Sequence, residues 1–318
     1  MEQINCPLCA SSETMLLFKR RDLRHHITDI PFNVVRCQQC SLVYINPRPS
    51  PDEIHSYYPE EYYSPDDDAD KLLRDHNEEF RIKHQYLADI PPGRVLDIGC
   101  AKGEFLMFMR HQGWDVSGLD FSQKPPNVFG LDIRYGDLDN ARFSKETFDL
   151  VTLWAVLEHV YDPLAMLSRI REFLKVDGSI LLAATNFRSL PGRIMRQDDV
   201  PRHTILFTKQ TLGQLLRLSG FKVDYIVCDC RLYGGTNRGI FNFLFKLAAG
   251  EPIDEIVAQN RSAEKWHQFS SQLRGKDSLW MQRIDRMDIA CTPRLDPLLD
   301  KLGFGFSILA RARKTASG

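Results

Sequence analysis

The stretch VLDIGCAKGEF, Val95–Phe105, decides the fold. Val95, Leu96 and Ile98 make a short apolar run of strand length that enters a glycine turn. From there GEFLMFMRHQ (Gly103–Gln112) reads as a helix, and Gly113 stops it. Asp97 stands at the strand end, and Gly99 and Gly103 flank the turn. Small residues at such a turn let backbone approach a ligand closely, next to a helix N-terminus. A dinucleotide fingerprint would need glycines at 99, 101 and 104, where the chain has Gly99, Ala101 and Glu104. Glu104 would put negative charge where a pyrophosphate sits, and the chain has no Walker-type phosphate loop. The turn therefore suits a nucleoside ligand without phosphates.

Working outward, strands and helices alternate. WDVSGLD (Trp114–Asp120) is a second strand, Ile133–Tyr135 a weak third, Phe148–Trp154 a fourth, Ser179–Ala184 a fifth and Lys222–Cys228 a sixth. Pro163–Leu174 is a helix with Asp162 as its cap, and Thr208–Ser219 is another, closed by Gly220. This succession predicts an α/β fold, a parallel sheet with helices on both faces. Asp120 ends the second strand, 21 residues after Gly99. A carboxylate there can accept both hydroxyls of a ribose.

These residues together resemble a class I S-adenosylmethionine-dependent methyltransferase. VLDIGCAKG is similar to the family's glycine-rich first motif, with Ala101 in place of the middle glycine. GLD ending at Asp120 resembles its ribose-binding strand end. In the stretch from Tyr135 to Leu167, Asp137 matches the acidic residue that meets the adenine amino group, with Leu138 packed nearby. LKVDGSILLAATN resembles the fifth strand, and GFKV with GFSILARAR the closing antiparallel pair. The resemblance covers Arg94–Cys228 plus the tail and implies a Rossmann-like methyltransferase sheet. It implies cofactor contacts at Asp97, Gly99, Cys100, Ala101, Gly103, Asp120, Phe121, Asp137, Leu138 and Trp154. S-adenosylmethionine is the implied cofactor and S-adenosylhomocysteine the product.

Four of the eight cysteines fall in the first 40 residues as two close pairs, Cys6/Cys9 in CPLC and Cys37/Cys40 in CQQC. Each CxxC turn aims two thiolates at one point, and two turns together give the four-thiolate set that suits structural zinc. The competing reading is a redox pair or unliganded thiols. The segment KRRDLRHH (Lys19–His26) between the pairs reads as a solvated face. Ribbon, the double-tyrosine segment with Tyr57, Tyr58, Tyr62 and Tyr63, and core together resemble a bacterial methyltransferase subgroup associated with sugar, polysaccharide or natural-product methylation.

The expected organisation is a zinc ribbon at 1–48 and a tyrosine-rich connecting loop and helix at 49–92. The cofactor-binding core follows at 93–230, then a helical insertion or lid at 231–302 and the final strand at 303–318. Within the insertion Phe241, Leu244, Phe245 and Ala248 repeat at helical spacing, and Asp254–Phe269 and Leu279–Ile289 are helix-like. The first of these helices is apolar around most of its circumference, which predicts burial.

Chemistry beyond the cofactor falls to His159, in LEHV after the fourth strand, to His203 in DDVPRHT, and to Glu158. Both histidines lie at the sheet edge where open α/β folds bind ligands, and either can serve as a base toward a hydroxyl acceptor. His203 is the more exposed by context. Some ubiquinone-type O-methyltransferases carry a glutamate three residues before the equivalent of Glu158 and bind a divalent metal. Ala155 stands there, so no catalytic metal is expected.

Lys plus Arg number 41 and Asp plus Glu 42, for a net charge of −1, which argues against electrostatic capture of nucleic acid. A small-molecule acceptor such as a sugar is therefore expected, methylated on oxygen. The alternatives are an RNA methyltransferase docking through the ribbon and a non-enzymatic cofactor-binding module. The N-terminus carries no secretory pattern and no segment is long and apolar enough to span a bilayer, so a cytoplasmic location is expected.

Overall fold

Successive side chains of a strand point to opposite faces, and in β4 (Arg94–Ile98) both faces are buried. Leu96 and Ile98 pack on one side, while Val95 packs on the other. β7 (Phe148–Trp154) and β8 (Leu174–Thr185) repeat the pattern. Val151, Leu153, Ile180 and Leu182 share the first face, and Leu150, Leu181 and Ala183 the second. A sheet apolar on both sides needs a layer on each. α1 (Ala69–Gln85) and α2 (Glu104–His111) supply Phe80, Ile82, Phe105 and Met109 to one layer. α3 (Pro163–Phe173) and α4 (Lys209–Leu218) supply Leu167, Ile170, Leu212 and Leu215 to the other. The computed structural model describes residues 1–59, 68–122, 126–189, 199–233, 240–253, 256 and 279–315.

β5 (Asp115–Asp120), β6 (Ile133–Tyr135), β10 (Phe221–Cys228) and β11 (Ser307–Lys314) complete a seven-stranded sheet ordered β10-β11-β8-β7-β4-β5-β6. β6, β5, β4, β7 and β8 run parallel, and β11 lies antiparallel between β8 and β10. The chain winds outward in one direction from β4 and in the other from β7. The crevice at their C-terminal ends is therefore the switch point where such sheets bind ligands. The helix starts expected from sequence are present: Asp162 accepts the Ala165 amide at 2.9 Å, and Thr208 caps α4 in a reciprocal box with Thr211.

The N-terminal ribbon is a second sheet of β1 (Thr14–Arg20), β2 (Phe32–Cys37) and β3 (Val43–Ile45). Its fourth strand comes from the core: β9 (Ile205–Leu206) pairs antiparallel with β3, Val43 opposite Leu206 and Tyr44 opposite Ile205. Cys6, Leu8, Val35 and Tyr44 share one apolar cluster with Leu153, Leu157 and Phe207 of the core. The segment Lys19–His26 is not the solvated face its charge suggested. Arg20, Asp22 and Leu23 are buried, because Leu23 packs on α5 (Ile240–Ala248) and Asp22 pairs with the core.

The insertion differs from expectation in two respects. α6 (Leu279–Leu302) continues past Ile289, through Pro293 and Pro297. Both prolines, and Ile289 one turn before the first, are exposed, so the carbonyls they leave without a helical partner can be solvated. In α5, Ile240 and Phe243 are buried, but Leu244, Phe245 and Leu247 remain exposed. Asp288 of α6 fixes the start of α5 by accepting the amides of Phe241 and Asn242, both at 3.0 Å. The expected helix at Asp254–Phe269, except for Ile256, lies outside the described residues, as do Tyr62 and Tyr63. The last strand, expected within 303–318, begins at Ser307 and runs to Lys314.

Candidate functional site

The turn after β4 holds a left-handed backbone at Gly99 (φ 74°), Ala101 (φ 47°) and Gly103 (φ 88°). At Gly99 a Cβ would lie 2.4 Å from Val156 Cγ2, so glycine is required for the turn to seat against the loop after β7. The turn is pinned to β5, since the Leu119 carbonyl accepts the amides of Gly99 and Cys100 at 2.7 and 3.2 Å. Asp120 receives the Ala101 amide on one carboxylate oxygen at 2.8 Å and the Ser122 amide on the other at 2.9 Å. A carboxylate has about four acceptor positions, so one remains on each oxygen, the arrangement a vicinal diol needs.

The other expected contacts line the same edge with different exposures. Asp97 is buried and accepts the Thr152 hydroxyl at 2.6 Å; burial pushes its carboxyl up to about 7. Cys100 and Leu138 are buried, while Asp137 and Phe121 are exposed. Trp154 meets Phe105 edge-on at 5.1 Å, and the Lys83 ammonium of α1 lies 4.6 Å from its ring. Its indole nitrogen is buried with no hydrogen-bond partner among the described residues. Sequence reasoning missed Lys83, because nothing in α1 marks which of its charges turns inward.

In the ribbon, the four sulfurs of Cys6, Cys9, Cys37 and Cys40 lie within 4.8 Å of one another. Cys6 Sγ is 3.4 Å from Cys40 Sγ, and Cys9 Sγ is 3.5 Å from Cys37 Sγ. Zinc–sulfur bonds of about 2.3 Å span a tetrahedron with edges of roughly 3.8 Å, so the cluster is close to the required size. Main-chain amides of Leu8 and Cys9 face Cys6 Sγ, and those of Gln39 and Cys40 face Cys37 Sγ, the donors that thiolates need. The residues fit a closed, structural zinc site.

The remaining candidates cluster beyond the tip of β7. Val156, seated on Gly99, carries the chain into a short 3-10 turn, Leu157–His159. Glu158 is fully buried, and one of its oxygens accepts the Thr185 amide at 3.1 Å. The other has no partner among the described residues, and burial pushes the carboxyl up to about 7. His159 is half-buried. Its Nδ1 lies 3.2 Å from the Arg202 carbonyl and 3.1 Å from the Tyr58 hydroxyl. A carbonyl only accepts, so this contact favours the tautomer with the proton on Nδ1 and the lone pair on Nε2, in which Nδ1–H donates to it. Burial lowers the imidazole to about 4, which keeps it neutral near pH 7.

His203 is not the more exposed histidine; it is 6% exposed and packs edge-to-face on His159 with ring centroids 4.6 Å apart. Burial and the neighbouring His159 hold it well below the usual imidazole range. The loop residues Asp199 and Arg202 and the ribbon residue Asp22 form a buried ion cluster beneath the pair. None of the three was expected at the site. DDVPRHT hints at Asp199 and Arg202 by proximity, but no local signal joins Asp22 to residues 180 positions away.

Fold and site together define a class I S-adenosylmethionine-dependent methyltransferase domain, with a four-cysteine ribbon joined to it edge to edge. Residues 72–226 match the family model of a methyltransferase domain. The chain is similar to the ubiquinone biosynthesis O-methyltransferases of Haemophilus ducreyi and Aliivibrio fischeri, each 33% identical across 29% of this chain. It spans about half the length of these curated relatives, 45% and 44%. A chain from the complex between the Haloferax volcanii Trm112 methyltransferase activator and a methyltransferase shares the fold, with a TM-score of 0.50 at 15% identity. That match covers 79% of this chain and 95% of the other. The turn at Gly99–Gly103 and the carboxylate of Asp120 fit S-adenosylmethionine as cofactor. No helix among the described residues is long and apolar enough to cross a membrane.

Proposed function

We propose that the protein methylates a hydroxyl of a small molecule, such as a sugar or another hydroxylated metabolite, with His159 as the general base. The observation that carries this reading is the half-buried imidazole of His159, its Nδ1 held 3.2 Å from the Arg202 carbonyl, on a loop seated against the cofactor turn. The sulfonium of S-adenosylmethionine supplies an electrophilic methyl group when bound. The protein's share is then orientation of the acceptor and removal of its proton. His159 Nε2 takes the hydroxyl proton as the oxygen becomes nucleophilic. His203, packed edge-to-face on the His159 ring and 6% exposed, is assigned a supporting place rather than the role of base. Glu158 stays out of the reaction, because its carboxyl is enclosed and tied to the Thr185 amide.

Oxygen as the acceptor atom is supported by a histidine beside the cofactor turn, since a base is useful toward a hydroxyl acceptor, and by the O-methyltransferase names of the matched relatives. The near-zero net charge favours a small acceptor over RNA. Beyond the core, α5 packs against Leu23 of the ribbon. The test is turnover of a panel of hydroxylated acceptors by the wild type and by His159→Gln. The variant should lose at least a hundredfold in kcat and keep its calorimetric affinity for S-adenosylmethionine. Equal turnover by both proteins would exclude His159 as base.

A further inference from the structure

We propose that Asp22 and Arg202 are positioning residues for His159, and that through them the zinc ribbon holds the base in its working tautomer. This rests on the reading of His159 as the base. Arg202 is completely buried, and all five of its guanidinium N–H groups are committed. Nε donates to Asp199 Oδ1 at 2.9 Å, and Nη2 donates to the same oxygen at 2.7 Å and to Asp22 Oδ1 at 2.6 Å. Nη1 donates to Asp22 Oδ2 at 3.1 Å and to the Tyr57 carbonyl at 2.6 Å. Asp22 is equally saturated, since it also accepts the amides of His25 and Ile27, both at 3.1 Å. Arg24 lies 3.8 Å from the second oxygen of Asp199, so two guanidinium groups balance two carboxylates.

Both groups that face His159 Nδ1 hang from this one guanidinium. The carbonyl at 3.2 Å belongs to Arg202 itself. The hydroxyl at 3.1 Å belongs to Tyr58, whose preceding carbonyl, that of Tyr57, Arg202 also holds. Stability alone does not call for such a cluster, since well-packed apolar residues serve a buried site as well as an ion pair does. A guanidinium with every donor engaged instead fixes the loop 199–204 against rotation. The ribbon supplies one of its two carboxylates, and β9 pairs that same loop to β3. A base whose tautomer is set by a single carbonyl depends on that loop keeping its place.

The experiment uses full-length, zinc-loaded protein with 15N-labelled histidine at pH 7, with His159→Gln to assign the two ring nitrogens. Long-range proton–nitrogen correlations report which nitrogen of His159 carries the proton. The wild type should show Nδ1–H alone. Asp22→Asn should give a mixture of tautomers and at least a tenfold lower kcat, with unchanged zinc content and unchanged calorimetric affinity for S-adenosylmethionine. Tyr58→Phe should retain Nδ1–H, because the Arg202 carbonyl remains. If Asp22→Asn loses zinc or secondary structure, Asp199→Asn, on the other side of the guanidinium, carries the same expectation. An Nε2–H wild type overturns the proposal. So do an Asp22→Asn protein with wild-type tautomer and kcat, and mixing in Tyr58→Phe alone. A wild type that binds cofactor and methylates nothing refutes the proposed reaction instead, while the tautomer comparison is decided independently.

Discussion

Asp120 stands at the tip of β5 with one amide on each oxygen, and that geometry makes it more than an acidic residue at a strand end. With one amide on each oxygen, the carboxylate keeps an acceptor position on each, enough to meet two neighbouring hydroxyls at once. Each hydrogen bond to a charged group contributes roughly 1.5–3 kcal/mol, and a tenfold change in affinity is about 1.4 kcal/mol. Asp120→Ala should therefore weaken S-adenosylmethionine binding by at least tenfold, read by calorimetry. Asp120→Asn, which keeps one acceptor oxygen, should fall between the two. Unchanged affinity in the alanine variant would refute the ribose assignment.

At the scale of elements, the legible parts of the fold are those written locally. The short apolar runs of β4, β7 and β8 and the glycine turn at Gly99–Gly103 need only a few adjacent residues to be read. The paired cysteines are legible for the same reason. β9 is two residues long, too short for any periodicity, yet it is what anneals the ribbon to the core. The helix α6 hides behind Pro293 and Pro297, which end most helices and here face solvent. The contact between Asp22 and Arg202 has no local trace, so a segment with four Lys or Arg residues between Lys19 and His26 and one acidic one reads as a solvated face. Because the ribbon shares a strand and an apolar cluster with the core, metal loss should be felt by the whole fold. Metal analysis should find one zinc per chain in the wild type and none in Cys37→Ser. Losing a ligand that saturates its site a thousandfold above Kd costs about 4 kcal/mol, so the thermal midpoint should drop in a single transition. A metal-free wild type that folds normally would refute the zinc site, and a separate early ribbon transition would refute the shared core.

For the molecule as a whole, burial of the site sets how stability follows pH. Glu158 is raised to about 7 from its ordinary 4.5 by desolvation, and Asp97 is raised to about 7 for the same first reason. A carboxyl raised on folding favours the protonated native state. Its contribution is complete below the ordinary value and is lost as pH climbs through about 7. His159 and His203 are lowered on folding, so theirs is present above the ordinary 6.5 and is lost as pH falls toward their native values. Between pH 5 and 8 the two pairs oppose each other, and the wild-type midpoint should change little on their account. Glu158→Gln separates them. The amide keeps an oxygen for the Thr185 N–H and puts an uncharged group where the other oxygen lacks a partner. At about 1.4 kcal/mol per pH unit, the gap between 4.5 and about 7 corresponds to about 3 kcal/mol that the wild type loses on going to pH 8 and the variant does not. Thermal or urea unfolding at pH 5 and pH 8 should show the variant gaining on the wild type by that order as pH rises. Parallel curves for the two proteins would mean that Glu158 is already ionised in the folded state, held by a charge or solvent contact that its enclosure excludes.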